Sequence, residues 1–497
     1  MKTRRILTLL VMFTLLPGVA ACKTSSVEPV TPETTMQPLS PPTQIPNTEV
    51  PPSPTTEPTY QITSTPVSAE PSLFTQYQMD ISLNYPNHSL MVSQVIDYTN
   101  NTGAELTELP LLVPPAVHPN VFSLISLQFD PAYLESTSDM EGLTIQLQLK
   151  PGLPPGKTFE LNLIYELRLP EKRSAFGFTE RQILLADWYP YVPPYLDDRG
   201  WLTNEPGEVG EYLTYPLADF TVNLHLSPPM ENLIVAASSP LTSQEGNCLR
   251  YHAQNVRNFS LAISPDYQVT TTSNEYVTVK AYNFPEHANQ GERAAELAVQ
   301  AWELYINLYG GNQRQFLSVV EAEIEDGLEC DGQFYLSDWY FESADETPKN
   351  YFELLVVHET AHQWFYALIP NDQANEPWLD EALATYSELL FLESFHPELV
   401  DWWWGFRVHA YHPTGAVNST IYDYRDDRPY INAVYLRGAT FLQDVREAVG
   451  DPAFYTFLQH YAQNNKEDQF RNSDIFFSLL SQTSDVDLSN LLTFFFR

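Results

Sequence analysis

Positive charge is scarce in this chain: 25 Lys and Arg stand against 63 Asp and Glu, a formal net charge of −38. A nucleic-acid binder needs a basic stripe, and a protein that docks on an anionic bilayer through its surface needs a basic patch, so both classes are set aside. Cysteine is scarcer still. The three residues, Cys22, Cys248 and Cys330, show no C-x-x-C spacing and are not read as metal ligands. No internal repeat is present, and the apolar run at residues 6–16 is too short for a mature membrane span. At 497 residues the chain is long enough for two or three domains with sizeable cores.

The first feature present is an address. Lys2, Arg4 and Arg5 precede the apolar run, and Val19-Ala20-Ala21-Cys22 ends it in the manner of a bacterial lipobox, whose cysteine is acylated after cleavage. An ordinary signal peptide cleaved nearby is the alternative and would leave Cys22 unmodified. Small residues stopping at a cysteine favour the lipid, which makes the chain an extracytoplasmic, cell-surface lipoprotein touching a bacterial membrane through its anchor alone. In such a compartment Cys248 and Cys330 are free to pair, and the sequence leaves open whether they meet. Residues 23–73 are rich in Pro, Thr and Ser, cannot bury enough surface to offset their ordering entropy, and read as a disordered tether.

Residues 74–270 read as a β-rich N-terminal domain. Leu90, Val92, Ile96 and Tyr98 alternate before the turn at Asn100-Asn101-Thr102-Gly103; Leu143, Ile145, Leu147 and Leu149 alternate before Pro151-Gly152; Phe159 to Leu169 repeat the pattern. Such segments predict an antiparallel β-sandwich or saddle with one wet face. The stretch Asp187-Trp188-Tyr189-Pro190-Tyr191-Val192-Pro193-Pro194 reads as a buried loop, either packing the core or lining a substrate cleft. From residue 271 to residue 497 the pattern is α+β. A helix is expected over 290–309, strands over 316–323 and 334–339, and helices over 430–449, 452–464 and 473–481, with Trp402-Trp403-Trp404 as packing.

The chemistry concentrates in Val356-Val357-His358-Glu359-Thr360-Ala361-His362-Gln363-Trp364 and Trp378-Leu379-Asp380-Glu381. On a helix, residues four apart share a face, so His358 and His362 can offer two imidazole nitrogens to one ion. Glu359 borders the open position, where an activated water needs a base. Glu381 is the candidate third ligand: 18 residues separate it from His362, room for the first helix to end near Pro370-Asn371 and a second to begin around Pro377. Two histidines and one carboxylate leave a fourth position for water, the arrangement of a catalytic zinc.

Together with Tyr435-Leu436-Arg437-Gly438 and the acidic turn around Glu329, these motifs resemble the gluzincin aminopeptidases, the aminopeptidase N family, in order and spacing. The resemblance covers about residues 75 to 497. It implies a β domain followed by a thermolysin-like zinc metallopeptidase domain, without the large C-terminal helical domain of many members. It further implies one Zn²⁺ on His358, His362 and Glu381, Glu359 as general base, and Tyr435 as donor to the tetrahedral oxyanion. Glu329 corresponds to the glutamate of the family's Gly-x-Met-Glu-Asn motif, which binds the substrate's free α-amine. Here Asp326, Leu328 and Cys330 replace the motif's first glycine, methionine and asparagine. The function expected is a zinc-dependent aminopeptidase acting on peptides with a free N-terminus. The alternatives are a zinc endopeptidase or narrow-specificity metallopeptidase whose altered turn no longer selects amines, and a catalytically silent peptide-binding surface lipoprotein.

Overall fold

The computed structural model describes residues 74–133, 135–230, 232–463 and 469–497; the expected signal sequence, Cys22 and the expected tether lie outside them. Two of the three alternating segments form strands of a seven-stranded sheet in the order Leu241–Glu245, Cys248–Val256, Ala218–Leu226, Thr75–Asn84, Ser89–Thr99, Thr158–Arg168, Phe122–Phe129, while the third, Thr144–Leu153, is the middle strand of a separate three-stranded sheet. Phe159, Leu161, Leu163, Tyr165 and Leu167 are buried while their neighbours point outward, as strict alternation requires. The sheet departs from the antiparallel expectation at one pair, since Thr75–Asn84 runs parallel to Ala218–Leu226. More than a hundred residues separate these strands in sequence, ample for the crossover a parallel pair needs.

The aromatic stretch at 187–194 packs the core and does not line the metal cleft described below. Trp188 Nε1 donates to the Phe259 carbonyl at 2.8 Å, and the Tyr191 ring lies 4.2 Å from that of Tyr215. Cys248 and Cys330 are both buried and free, so the open question of their pairing resolves against a disulfide here.

A second, five-stranded sheet carries the helical half in the order Gln268–Ser273, Thr278–Asn283, Phe316–Ala322, Gln333–Ser337, Gly327–Cys330. Its parallel step from Thr278–Asn283 to Phe316–Ala322 is made by the helix Ala288–Tyr309, whose extent agrees closely with the expected one. The Tyr305 hydroxyl on that helix reaches the carbonyls of Val357 and Ser387 at 3.1 and 3.3 Å, tying together the two helices that bear the motifs. Those helices, Tyr351–Ala361 and Trp378–Phe395, are buried on nearly every side. Among the described residues no helix is long and apolar enough to cross a membrane.

Three local expectations are corrected. The first motif helix stops at Ala361 and does not reach Pro370. Tyr366 takes a φ of 137°, which no helix accommodates, and its carbonyl and hydroxyl are held by Arg257 and Asn258 at 3.0 and 2.8 Å. The strand expected over 334–339 ends at Ser337, whose side chain accepts from the Trp339 amide and caps the short helix Asp338–Ser343. The helix expected over 430–449 is interrupted by a π turn at Asn432–Leu436 before continuing as Arg437–Val449.

Gly438 opens that continuation where it presses on the second motif helix. A β-carbon there would overlap the Ala382 side chain. Gly438→Ala gains about 1 kcal/mol of helix propensity and forces the two helices apart. A net loss of about 1–2 kcal/mol is expected, read as a lower urea midpoint; an unchanged or higher midpoint contradicts this packing.

Candidate active site

His358 lies in the last turn of Tyr351–Ala361, His362 caps that helix, and Glu381 sits in the first turn of Trp378–Phe395. The two Nε2 atoms are 3.1 Å apart, and Glu381 Oε2 lies 3.4 and 3.6 Å from them. The other ring nitrogens decide what this contact is. His358 Nδ1 is 3.0 Å from Glu388 Oε1, and His362 Nδ1 is 2.7 Å from Asp380 Oδ1 and 3.0 Å from the Phe365 carbonyl. Each Nδ1 therefore carries a proton, and in the neutral imidazole each Nε2 presents a lone pair. Two lone pairs and a carboxylate oxygen converging in a buried space repel unless a cation stands between them. The donor set of two neutral imidazoles and one carboxylate suits a single Zn²⁺ with an open position.

Glu359 borders the same point, and its Oε2 has no hydrogen-bond partner. Burial pushes its carboxyl up to about 7, with His362 and His358 opposing. A donor atom each of Glu329, Glu359 and His362 also lie within 4.8 Å of one another. That trio holds only one imidazole, so the histidine pair with Glu381 is the better zinc set. Tyr435 arrives from the π turn, its ring parallel to that of His358 within 3° at 6.2 Å between centroids, with its hydroxyl facing Glu381.

Glu329 lies on the edge strand Gly327–Cys330, not in a turn as the sequence suggested. Cys330 pairs with Gln333 across Asp331-Gly332, and Gly332 supplies the positive φ of 82° that closes the hairpin. The departures at Leu328 and Cys330 leave this strand paired. Gln363, directly after the second histidine, donates to the Cys330 carbonyl at 3.0 Å and accepts from the Gly332 amide at 2.9 Å, locking the strand to the motif helix. Gly327 lets it come close, because a β-carbon there would collide with Glu359 Oε1. The Glu329 carboxylate accepts from Gln373 at 2.9 Å and, with Glu211, lines a cleft of about 580 Å³ shared with His358, His362, Glu359, Glu381 and Tyr435. Burial pushes Glu329 well above the usual carboxylate range, with His362 opposing and Glu211 and Asp380 adding; burial likewise carries Glu211 to about 8, with Glu381 and Asp380 adding. Carboxylates crowded in this way favour an added cation between them.

Several residues of the site escaped the sequence reading. Glu388 accepts from His358, from Trp403 Nε1 at 2.9 Å and from Arg407 at 2.9 and 3.0 Å. Burial alone would raise this carboxyl, yet Arg407 and His358 hold it at about 2. Its signal was available: seven residues beyond Glu381 on one helix, it falls on nearly the same face. Asp380 precedes Glu381 directly. Glu211 sits in the irregular stretch 202–217, where no local pattern marks it, and only the tertiary fold brings it in. Replacing the carboxylate that orients His358, Glu388→Gln, is expected to weaken zinc retention by about 10–100-fold, measured by competition with a chromogenic chelator; unaltered affinity contradicts the role.

Residues 340–495 match the Peptidase family M1 domain. The chain is 26% identical over 234 residues to endoplasmic reticulum aminopeptidase 1 of Homo sapiens, a match covering 44% of this chain and 25% of that protein. Over 146 residues it is 29% identical to aminopeptidase N of Streptomyces lividans, covering 27% of this chain and 17% of that one. The matches thus span about a quarter or less of these relatives' lengths. Among solved structures, a mutant M1 zinc metallopeptidase from Deinococcus radiodurans bound to a Tyr-Ser-Ala substrate superposes with a TM-score of 0.58 at 18% identity, covering 85% of this chain and 94% of that one. Residues 340–495 are thus similar to the M1 peptidase domain, and the chain shares the fold of the two-domain M1 zinc metallopeptidases.

Proposed function

We propose that the protein is a zinc-dependent aminopeptidase that removes residues from the free N-terminus of peptides. The observation that carries this reading is the presence of two extra carboxylates, Glu211 and Glu329, in the same cleft as the zinc donors. His358, His362 and Glu381 would hold the ion, which when bound polarises the scissile carbonyl and lowers the pKa of a coordinated water towards ~7. Glu359, bordering the same space with its Oε2 unpartnered, would take a proton from the attacking water and pass it to the leaving amine. The Tyr435 hydroxyl donates to the developing oxyanion, an interaction worth roughly 3–4 kcal/mol. Glu211 and Glu329 take the substrate ammonium and so fix the scissile bond by its distance from the N-terminus. An interior peptide or a blocked terminus brings no cation to ionise and pair with them, and so forgoes that interaction. The peptide-bound Deinococcus radiodurans neighbour supports the substrate class, and the retained trio, base and tyrosine weigh against a silent binding protein.

Hydrolysis of aminoacyl reporter amides is expected, lost on chelation and reduced at least about 100-fold in Glu359→Gln. The same peptide with an acetylated N-terminus should be left intact. Equal cleavage of the free and acetylated forms would replace this reading with an endopeptidase, and reporter activity surviving Glu359→Gln would refute the metal-and-base chemistry.

We propose in addition that the protein is exported and lipidated on Cys22, with residues 23–73 as the tether; the support is the sequence pattern Lys2, Arg4, Arg5, apolar run and Val19-Ala20-Ala21-Cys22. In a bacterial host the full chain should incorporate labelled palmitate and fractionate with membranes, and Cys22→Ala should do neither. Label incorporated by Cys22→Ala would contradict the assignment.

A further inference from the structure

One cation of the cleft has no part in the chemistry above. Arg428 lines the same space as the zinc donors. Its guanidinium lies 4.2 Å from the centre of the Tyr411 ring, and the Tyr411 hydroxyl is 2.8 Å from that of Tyr351, so the platform beneath the arginine is itself held. Arg407, the other arginine of the cleft, is committed to Glu388. Among the described residues no carboxylate forms an ion pair with Arg428, not even its neighbour Asp427, which also lines the cleft. In a chain with 63 acidic and 25 basic residues, a guanidinium that no carboxylate has claimed is available to an anion brought from outside.

We propose that Arg428 receives the C-terminal carboxylate of short peptides, which makes oligopeptides of a few residues the preferred substrates. The inference rests on the aminopeptidase reading. A peptide whose ammonium sits at Glu211 and Glu329 and whose first carbonyl sits beside Glu359 has one formal charge left on its backbone, the carboxylate. A planar guanidinium matches that group with parallel N–H donors, and stacking on a tyrosine orients the fork without consuming its hydrogen-bonding edge. The cleft volume of about 580 Å³ is that of a small-ligand pocket, in keeping with substrates that end inside it. An acidic side chain of a longer peptide offers the same chemistry, and the test separates the two sources.

Binding to zinc-loaded Glu359→Gln protein is measured by calorimetry for three versions of one tripeptide: the free acid, the C-terminal amide, and an amide whose last residue is Asp. The free acid is expected to bind at least about tenfold tighter than the plain amide, the increment of one charge-assisted contact. Adding Arg428→Gln should bring that ratio close to one, and Arg428→Lys should retain part of it, which a loss of folding would not do. Equal binding of acid and amide to the parent overturns the proposal, as does a preference that survives Arg428→Gln. Full recovery by the Asp amide moves the contact to acidic side chains and overturns the short-peptide claim. The underlying reading is tested apart, by wild-type hydrolysis of an aminoacyl reporter with no carboxylate: turnover without an acid preference sinks this inference alone, and an acid preference without turnover sinks the peptidase reading and with it the substrate claim, leaving only the carboxylate contact.

Discussion

Two imidazole lone pairs and a carboxylate oxygen meeting in a water-poor space is a repulsive arrangement, and much of the helical half is organised to hold it. The Nε2 atoms of His358 and His362 stand 3.1 Å apart because their Nδ1 protons are tied to Glu388 and Asp380 on the neighbouring helix. Arg407 and Trp403 hold Glu388, and Gln373 bridges Asp380 to Glu329. Each layer fixes the one inside it, so the donors are oriented before a metal arrives and little order has to be gained on binding. The motif helices suit this duty since they are buried nearly all round, which leaves their side chains few alternative rotamers.

The β-rich half contributes to the site and does more than support it. Its irregular stretch 202–217 carries Glu211 into the cleft, and Arg199 and Asn204 grip Asp372 at 2.9 Å each, between the two metal-bearing helices. Arg257, buried at the end of the large sheet, fixes the backbone at Tyr366 and Ala367 immediately after the motif helix. The two extra carboxylates of the cleft therefore come from both halves of the molecule: Glu211 from the first, Glu329 from the edge strand of the second. Such an arrangement makes the spacing between these carboxylates and the metal donors a property of how the halves pack.

Periodicity and spacing made much of this legible. Alternation at residues 159–169 specified a half-buried strand, and the His358, His362 and Glu381 spacing specified three donors that do converge. What stayed hidden depends on distant parts of the chain. The end of the first motif helix at Ala361 follows from Tyr366, whose positive φ is imposed by Arg257 and Asn258 more than a hundred residues earlier. The turn read around Glu329 became an edge strand because its partner follows a tight reversal at Asp331-Gly332. Glu211 had no local mark at all, whereas Glu388 could have been found by carrying the helical face of Glu381 two turns further.

The site turns on one cation at one place. Anomalous diffraction at the zinc edge from crystals of the metal-loaded protein tests it most directly. A single peak about 2.0–2.2 Å from His358 Nε2, His362 Nε2 and a Glu381 oxygen is the predicted result. A peak coordinated by other residues, or none at this trio in protein saturated with zinc, would contradict it.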